Sequence, residues 1–69
     1  MTEYMKNMWL EKISNVVSKS IEYSLHAGGS GRTSIYLAKD VYDALYRNLI
    51  SIYSIHYSEE THILYIYLW

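Results

Sequence analysis

Apolar residues recur at every fourth position along the first third of the chain. Met5, Trp9, Ile13, Val17, Ile21 and Leu25 form the repeat, with Met8 and Val16 beside it. This spacing predicts an amphipathic helix over residues 2–26. Glu3, Lys6, Glu11, Lys12, Lys19 and Glu22 mostly fall elsewhere, as a solvated face requires. Thr2 followed by Glu3 supplies a start, and Gly28-Gly29 a stop, because Gly takes the left-handed conformation that ends helices. Val16-Val17 and the serines around them weaken the second half, so an end before Ile21 is the alternative. The Met5, Met8, Trp9 cluster lies on the same stripe as Ile13 and Val17 and reads as core.

Residues 27–33, Ala-Gly-Gly-Ser-Gly-Arg-Thr, hold all three glycines and read as a loop. The run Gly28–Gly31 also matches the flexible linkers that engineers insert between segments. Residues 34–37 alternate as a short strand does. Asp40 then reads as the cap of a second helix, with Asp43 adding negative charge to its first turn. Val41, Ala44, Leu45 and Leu49 form its apolar stripe, which Ile52 extends. Asp43 and Arg47 stand four apart and are placed to pair.

From Ile50 onward the pattern changes. Residues 50–57 and 62–69 are dense in Ile, Tyr and Leu, with Ser58-Glu59-Glu60-Thr61 between them. This predicts a β-hairpin with a polar four-residue turn. The competing reading makes Ser58 the cap of a third helix running to Trp69. Pairing Tyr57 with His62 puts Tyr53, Ile55, Leu64, Ile66 and Leu68 on one hairpin face. Ile50, Ile52, His56, Ile63, Tyr65, Tyr67 and Trp69 then share the other. Neither face is polar, and two helices can cover only one of them. The second face needs another cover. Tyr and Trp bury much area at low entropic cost, so Ile52, Ile63, Tyr65, Tyr67 and Trp69 are the candidate partner-binding residues.

Composition sharpens this picture. The chain has 69 residues, 51% of them hydrophobic, with 9 Tyr, 2 Trp and a net charge of −1. That is one small domain spanning residues 1–69. A chain so short buries only about 60% of its unfolded surface, so part of its apolar surface is expected to meet another chain. With no Cys, there is neither a disulfide framework nor a thiolate metal site, and the cytoplasm is the expected location. No basic-then-apolar leader and no long uncharged apolar stretch is present, so no membrane partner is expected.

Three motifs bear on chemistry. His26-Ala-Gly-Gly-Ser-Gly-Arg32-Thr33 resembles a degenerate phosphate-binding loop, with His26 in place of the first Gly and Arg32 in place of the Lys. In that reading Ile21–His26 would be the preceding strand. His56 and His62 flank Glu59 and Glu60 around the turn but match no metal-ligand spacing. Asp40 and Asp43 read as helix-start charges, and no serine sits in a nucleophile setting. The segment Arg32-Thr-Ser-Ile-Tyr-Leu-Ala-Lys-Asp-Val-Tyr-Asp-Ala-Leu45 resembles the strand and first helix of ribbon-helix-helix DNA-binding proteins. The resemblance covers 14 of 69 residues. It implies a dimer in which Ile35 and Leu37 point inward and Arg32, Ser34 and Tyr36 point toward DNA.

These readings converge on a small α+β domain: an N-terminal amphipathic helix, a short strand, a second helix and a C-terminal β-hairpin. The alternative is a mostly α fold with a ribbon-helix-helix-like dimer. The expected function is protein binding or self-association, as a regulatory or inhibitory module of the size common in viruses and mobile elements. The expected partner is a protein, a second copy (a dimer), or both. The alternative is a dimeric DNA-binding transcriptional regulator, and behind it a nucleotide binder. No enzyme activity, cofactor or metal is expected.

Overall fold

The computed structural model describes residues 1–28 and 31–68. It contains α1 (Glu3–Ala27), β1 (Arg32–Tyr36), α2 (Lys39–Ile52), β2 (Ser54–Ser58) and β3 (Ile63–Tyr67). The three strands form one antiparallel sheet in the order β1-β3-β2. β1 and β2 therefore run parallel to each other, joined through α2, and β3 fills the gap between them. This is a split β-α-β arrangement. The α+β architecture is the one the hydrophobic pattern predicts. The mostly α alternative is not, since β1 pairs with β3 of its own chain and two further strands follow α2.

The core lies between the sheet and the helices. Ile13 and Val17 of α1, Leu37 of the link between β1 and α2, Leu45 and Leu49 of α2, and Leu64 and Ile66 of β3 are buried. β3 contributes the two strand residues of this set because it alone has a neighbour on both sides. Trp9, Leu10, Ile35, Val41, Tyr42, Ile55 and Tyr57 pack around the cluster.

α1 departs from expectation in an instructive way. It does not end before Ile21 but runs 25 residues, from a Thr2 cap whose hydroxyl accepts from Met5 N–H to Gly28 at φ 69°. Its length of about 37 Å is twice the roughly 17 Å of a five-residue strand. The helix overhangs the sheet at both ends. A strict four-residue repeat also drifts about 40° per step around a helix of 3.6 residues per turn. The stripe from Met5 to Leu25 thus winds off the sheet. Ile13 and Val17 are buried, whereas Met5, Ile21 and Leu25 (76% exposed) are not.

Other boundaries shift for local reasons. α2 starts at Lys39 with Ala38 at the cap position, so Asp40 lies in the first turn and does not cap. Asp43 bonds Lys39 at 2.6 Å, one turn back, where Arg47 was expected. α2 continues through Ile50 and Ile52, and Tyr53 N–H closes its last turn on Leu49 C=O. The hairpin turn is Glu59–His62, one residue later than predicted, and Tyr57 faces Leu64 rather than His62. Residues 63–67 are strand, which removes the third-helix reading. Gly28 follows a helix and Arg32 begins a strand, and Ile21–His26 are helical. A phosphate loop needs the reverse order, strand then helix, so that motif lacks its context. Gly29 and Ser30 lie outside the described residues.

Candidate functional site

Side chains alternate across the sheet, and both helices lie on one side of it. Thr33, Ile35, Ile55, Tyr57, Leu64 and Ile66 point toward the helices. Arg32, Ser34, Tyr36, Ser54, His56, Ser58, Ile63, Tyr65 and Tyr67 point away. The second set forms a grid of three rows across β1, β3 and β2: Arg32–Tyr67–Ser54, Ser34–Tyr65–His56 and Tyr36–Ile63–Ser58. No described helix covers this face.

The grid is aromatic at its centre. Tyr65 sits between the Arg32 guanidinium, 5.0 Å from its ring centroid, and the His56 ring, stacked at 6.2 Å. Arg32 is thereby held by a cation–π contact across the β1–β3 pair. Tyr36 meets His62 edge-on at 5.9 Å and is 63% exposed, while Tyr67 is 42% exposed. Arg32 is the single permanent charge among these positions, and no carboxylate stands among them. The acidic pair Glu59-Glu60 lies beyond the grid, in the turn.

The predicted residues separate into groups. Ile63, Tyr65 and Tyr67 share the uncovered face, as the alternation implied. Ile52 does not: it ends α2, so its place on the hairpin face is corrected. Ile52 nevertheless meets Tyr67 in an apolar groove of about 340 Å³, lined also by Val17, Ile21, Tyr53 and Leu68. Trp69 lies outside the described residues. Arg32, Ser34 and Tyr36, singled out by a different resemblance, stand on the same face as Tyr65 and Tyr67. What seemed two candidate sites is one surface. Sequence reasoning missed Ser58, which the predicted turn absorbed and β2 now includes, and passed over Ser54, which alternation with His56 places on the same face.

A half-buried lock at the top of the sheet holds this surface in shape. Tyr57 points to the helix side, stacks on Tyr42 at 4.1 Å and donates its hydroxyl to Leu37 C=O at 2.6 Å. With that proton committed, the hydroxyl oxygen accepts from His62 Nδ1–H at 3.2 Å. Leu37 N–H in turn donates to His62 C=O at 2.8 Å. His62 holds φ 58°, a left-handed conformation that His tolerates better than most residues. Burial pushes the Tyr57 and Tyr42 hydroxyls above their ordinary pKa of 10.0. The hydrogen bond that Lys39 Nζ donates to the Asp43 carboxylate holds the Lys39 pKa above its ordinary value. Among the described residues no group of three His, Cys, Asp or Glu is placed to hold a metal ion, and no helix is long and apolar enough to cross a membrane.

Comparison with known protein families, curated proteins and solved structures finds no match. The functional reading therefore rests on the surface itself.

Proposed function

We propose that this chain is a small protein-binding module that acts through the uncovered face of its sheet. A regulatory or inhibitory role suits a domain that offers a surface and little else. The observation that supports the reading is the placement of Tyr36, Tyr65, Tyr67, Ile63 and His56 together on one face with a single cation. Antiparallel sheets that face water normally carry polar residues there. Tyrosine-rich patches with few charges are the composition of interface centres. Ile52 and Ile21 extend the apolar surface around the Tyr67 end through the shared groove.

Alanine at Tyr67 or Tyr65 is the test, in a binding assay against the captured partner. A central tyrosine anchor contributes about 2 kcal/mol, a roughly 30-fold loss of affinity. Unchanged binding in both variants would refute the surface assignment. A second reading, duplex DNA as the partner, draws on Arg32, Ser34 and Tyr36 projecting side by side from β1. It requires a salt-dependent duplex shift that Arg32→Ala weakens. One cation on the face gives it less support than the protein reading has.

A further inference from the structure

The backbone of β1 supplies a second, independent feature. Leu37 N–H donates to His62 C=O and Leu68 N–H to Gly31 C=O, each at 2.8 Å. Both pairs continue the register in which Ile35 faces Leu64 and Thr33 faces Ile66. Hydrogen-bonded and non-hydrogen-bonded pairs alternate in an antiparallel ladder. Thr33 and Ile35 therefore direct their N–H and C=O groups at β3. Arg32, Ser34 and Tyr36 direct theirs the other way, off the open edge of the sheet. None of the hydrogen bonds between described residues involves these outward groups.

Natural edges are commonly blunted with Lys, Pro or a bulge, because an open edge templates another strand. β1 has no Lys, Pro or bulge: its sequence is Arg-Thr-Ser-Ile-Tyr, its pairing with β3 is continuous, and its one charge, Arg32, stands at its first residue over the Tyr65 ring. The opposite edge is a poorer template. The same alternation leaves only Ile55 and Tyr57 facing outward on β2. Tyr53 N–H before them is already bonded to Leu49 C=O, and the acidic turn follows them.

We propose that β1 is a self-pairing edge: β1 of a second copy adds antiparallel to it about a two-fold axis at Ser34, joining two three-stranded sheets into one of six strands. The sequence of the strand fits itself in this register. Ser34 faces Ser34 of the second copy, and Arg32 faces Tyr36 of the second copy. All three outward residues fall at hydrogen-bonded positions, so each outward N–H and C=O finds a partner. Arg32 meets a tyrosine ring and never its own counterpart, which avoids the like-charge cost of direct opposition. On the helix side Thr33 and Ile35, both only half-buried, face each other across the junction and gain cover. The pairing engages Tyr36 alone of the tyrosine face and leaves Tyr65, Tyr67 and Ile63 open, so it stands separately from the protein-binding reading.

The test is sedimentation equilibrium of the full chain, with amide hydrogen exchange, on the wild type, Ser34→Pro and Tyr67→Ala. Ser34 N–H makes no bond to β3, so proline there removes an outward donor without breaking the internal ladder. The expected result is a wild-type dimer, a monomeric Ser34→Pro with unchanged circular dichroism, and a Tyr67→Ala that still dimerises. Ser34 and Tyr36 amides should exchange at least tenfold more slowly in concentrated than in dilute wild type. Should Ser34→Pro not fold, Ser34→Lys opposes two cations across the axis and should likewise be monomeric. A wild type that stays monomeric at millimolar concentration overturns the proposal. So does a dimer in which the Ser34 and Tyr36 amides exchange without protection, or one lost in Tyr67→Ala and kept in Ser34→Pro.

Discussion

Leu64→Ala and Tyr67→Ala differ by three positions on one strand, yet they probe opposite faces of it. Leu64 is fully buried on the helix side of β3, between Ile35 of β1 and Tyr57 of β2. Because β3 is flanked on both sides, the surrounding backbone is held and cannot close over the lost carbons. Such Leu→Ala changes cost about 2–5 kcal/mol, the transfer term plus the cavity. A chain of 69 residues has a total stability of about 3–10 kcal/mol at typical values per residue. The variant should therefore sit close to its unfolding midpoint in water. Tyr67 is 42% exposed, and its truncation should cost about 1 kcal/mol. Urea denaturation followed by circular dichroism separates the two. With an m-value of about 1 kcal/mol/M, Leu64→Ala should lower the midpoint by about 3 M and Tyr67→Ala by about 1 M. A loss below 1 kcal/mol for Leu64→Ala, or an equal loss for both, would mean that the faces of β3 are assigned wrongly.

Other parts of the fold are open to the same kind of check. Tyr57→Phe removes the hydroxyl that joins Leu37 to His62 and should lower the urea midpoint. Tyr42→Phe keeps the ring stack and should change it less. Gly28→Ala places a Cβ at φ 69° with open space around it, so the cost is backbone strain of about 1–2 kcal/mol, read by the same assay. Stability should fall as pH rises above about 10. Tyr42 and Tyr57 have raised pKa values in the fold, so the unfolded chain releases its phenolic protons first and is favoured by alkali. Lys39 is raised too and acts in the same direction. A stability that is flat or rising from pH 9.5 to 11 would contradict these surroundings.

Periodicity made the elements legible because each helix and strand buries one side. The spacing of Ile13 and Val17, of Leu45 and Leu49, and of Leu64 and Ile66 identified most of the core. Three things were not legible. The stripe on α1 carried no mark of where the sheet beneath it ends, so Met5, Ile21 and Leu25 read as core. The Ile-rich end of α2 read as strand, because β-branched propensity differs by only tenths of a kcal/mol and tertiary packing overrides it. The turn slid by one residue because His62, not Thr61, takes the left-handed conformation, and a side chain bonded to Tyr57 is not visible in a local pattern. That slip moved both strands together, so residues stayed on their faces. The candidate surface was half legible for a related reason. Alternation placed Ile63, Tyr65 and Tyr67 together. The insertion of β3 beside β1, which adds Arg32, Ser34 and Tyr36, is a long-range pairing with no local signature.

The central claim is that the uncovered sheet face meets a protein partner. A photo-crosslinking residue at position 67, with the same residue at position 23 as control, tests this most directly in the native cell. Tyr67 and Tyr23 are both exposed, but only Tyr67 lies on the uncovered face. The account predicts a discrete crosslinked adduct from position 67 and none from position 23. An adduct from position 23 alone, or none from position 67, would contradict it.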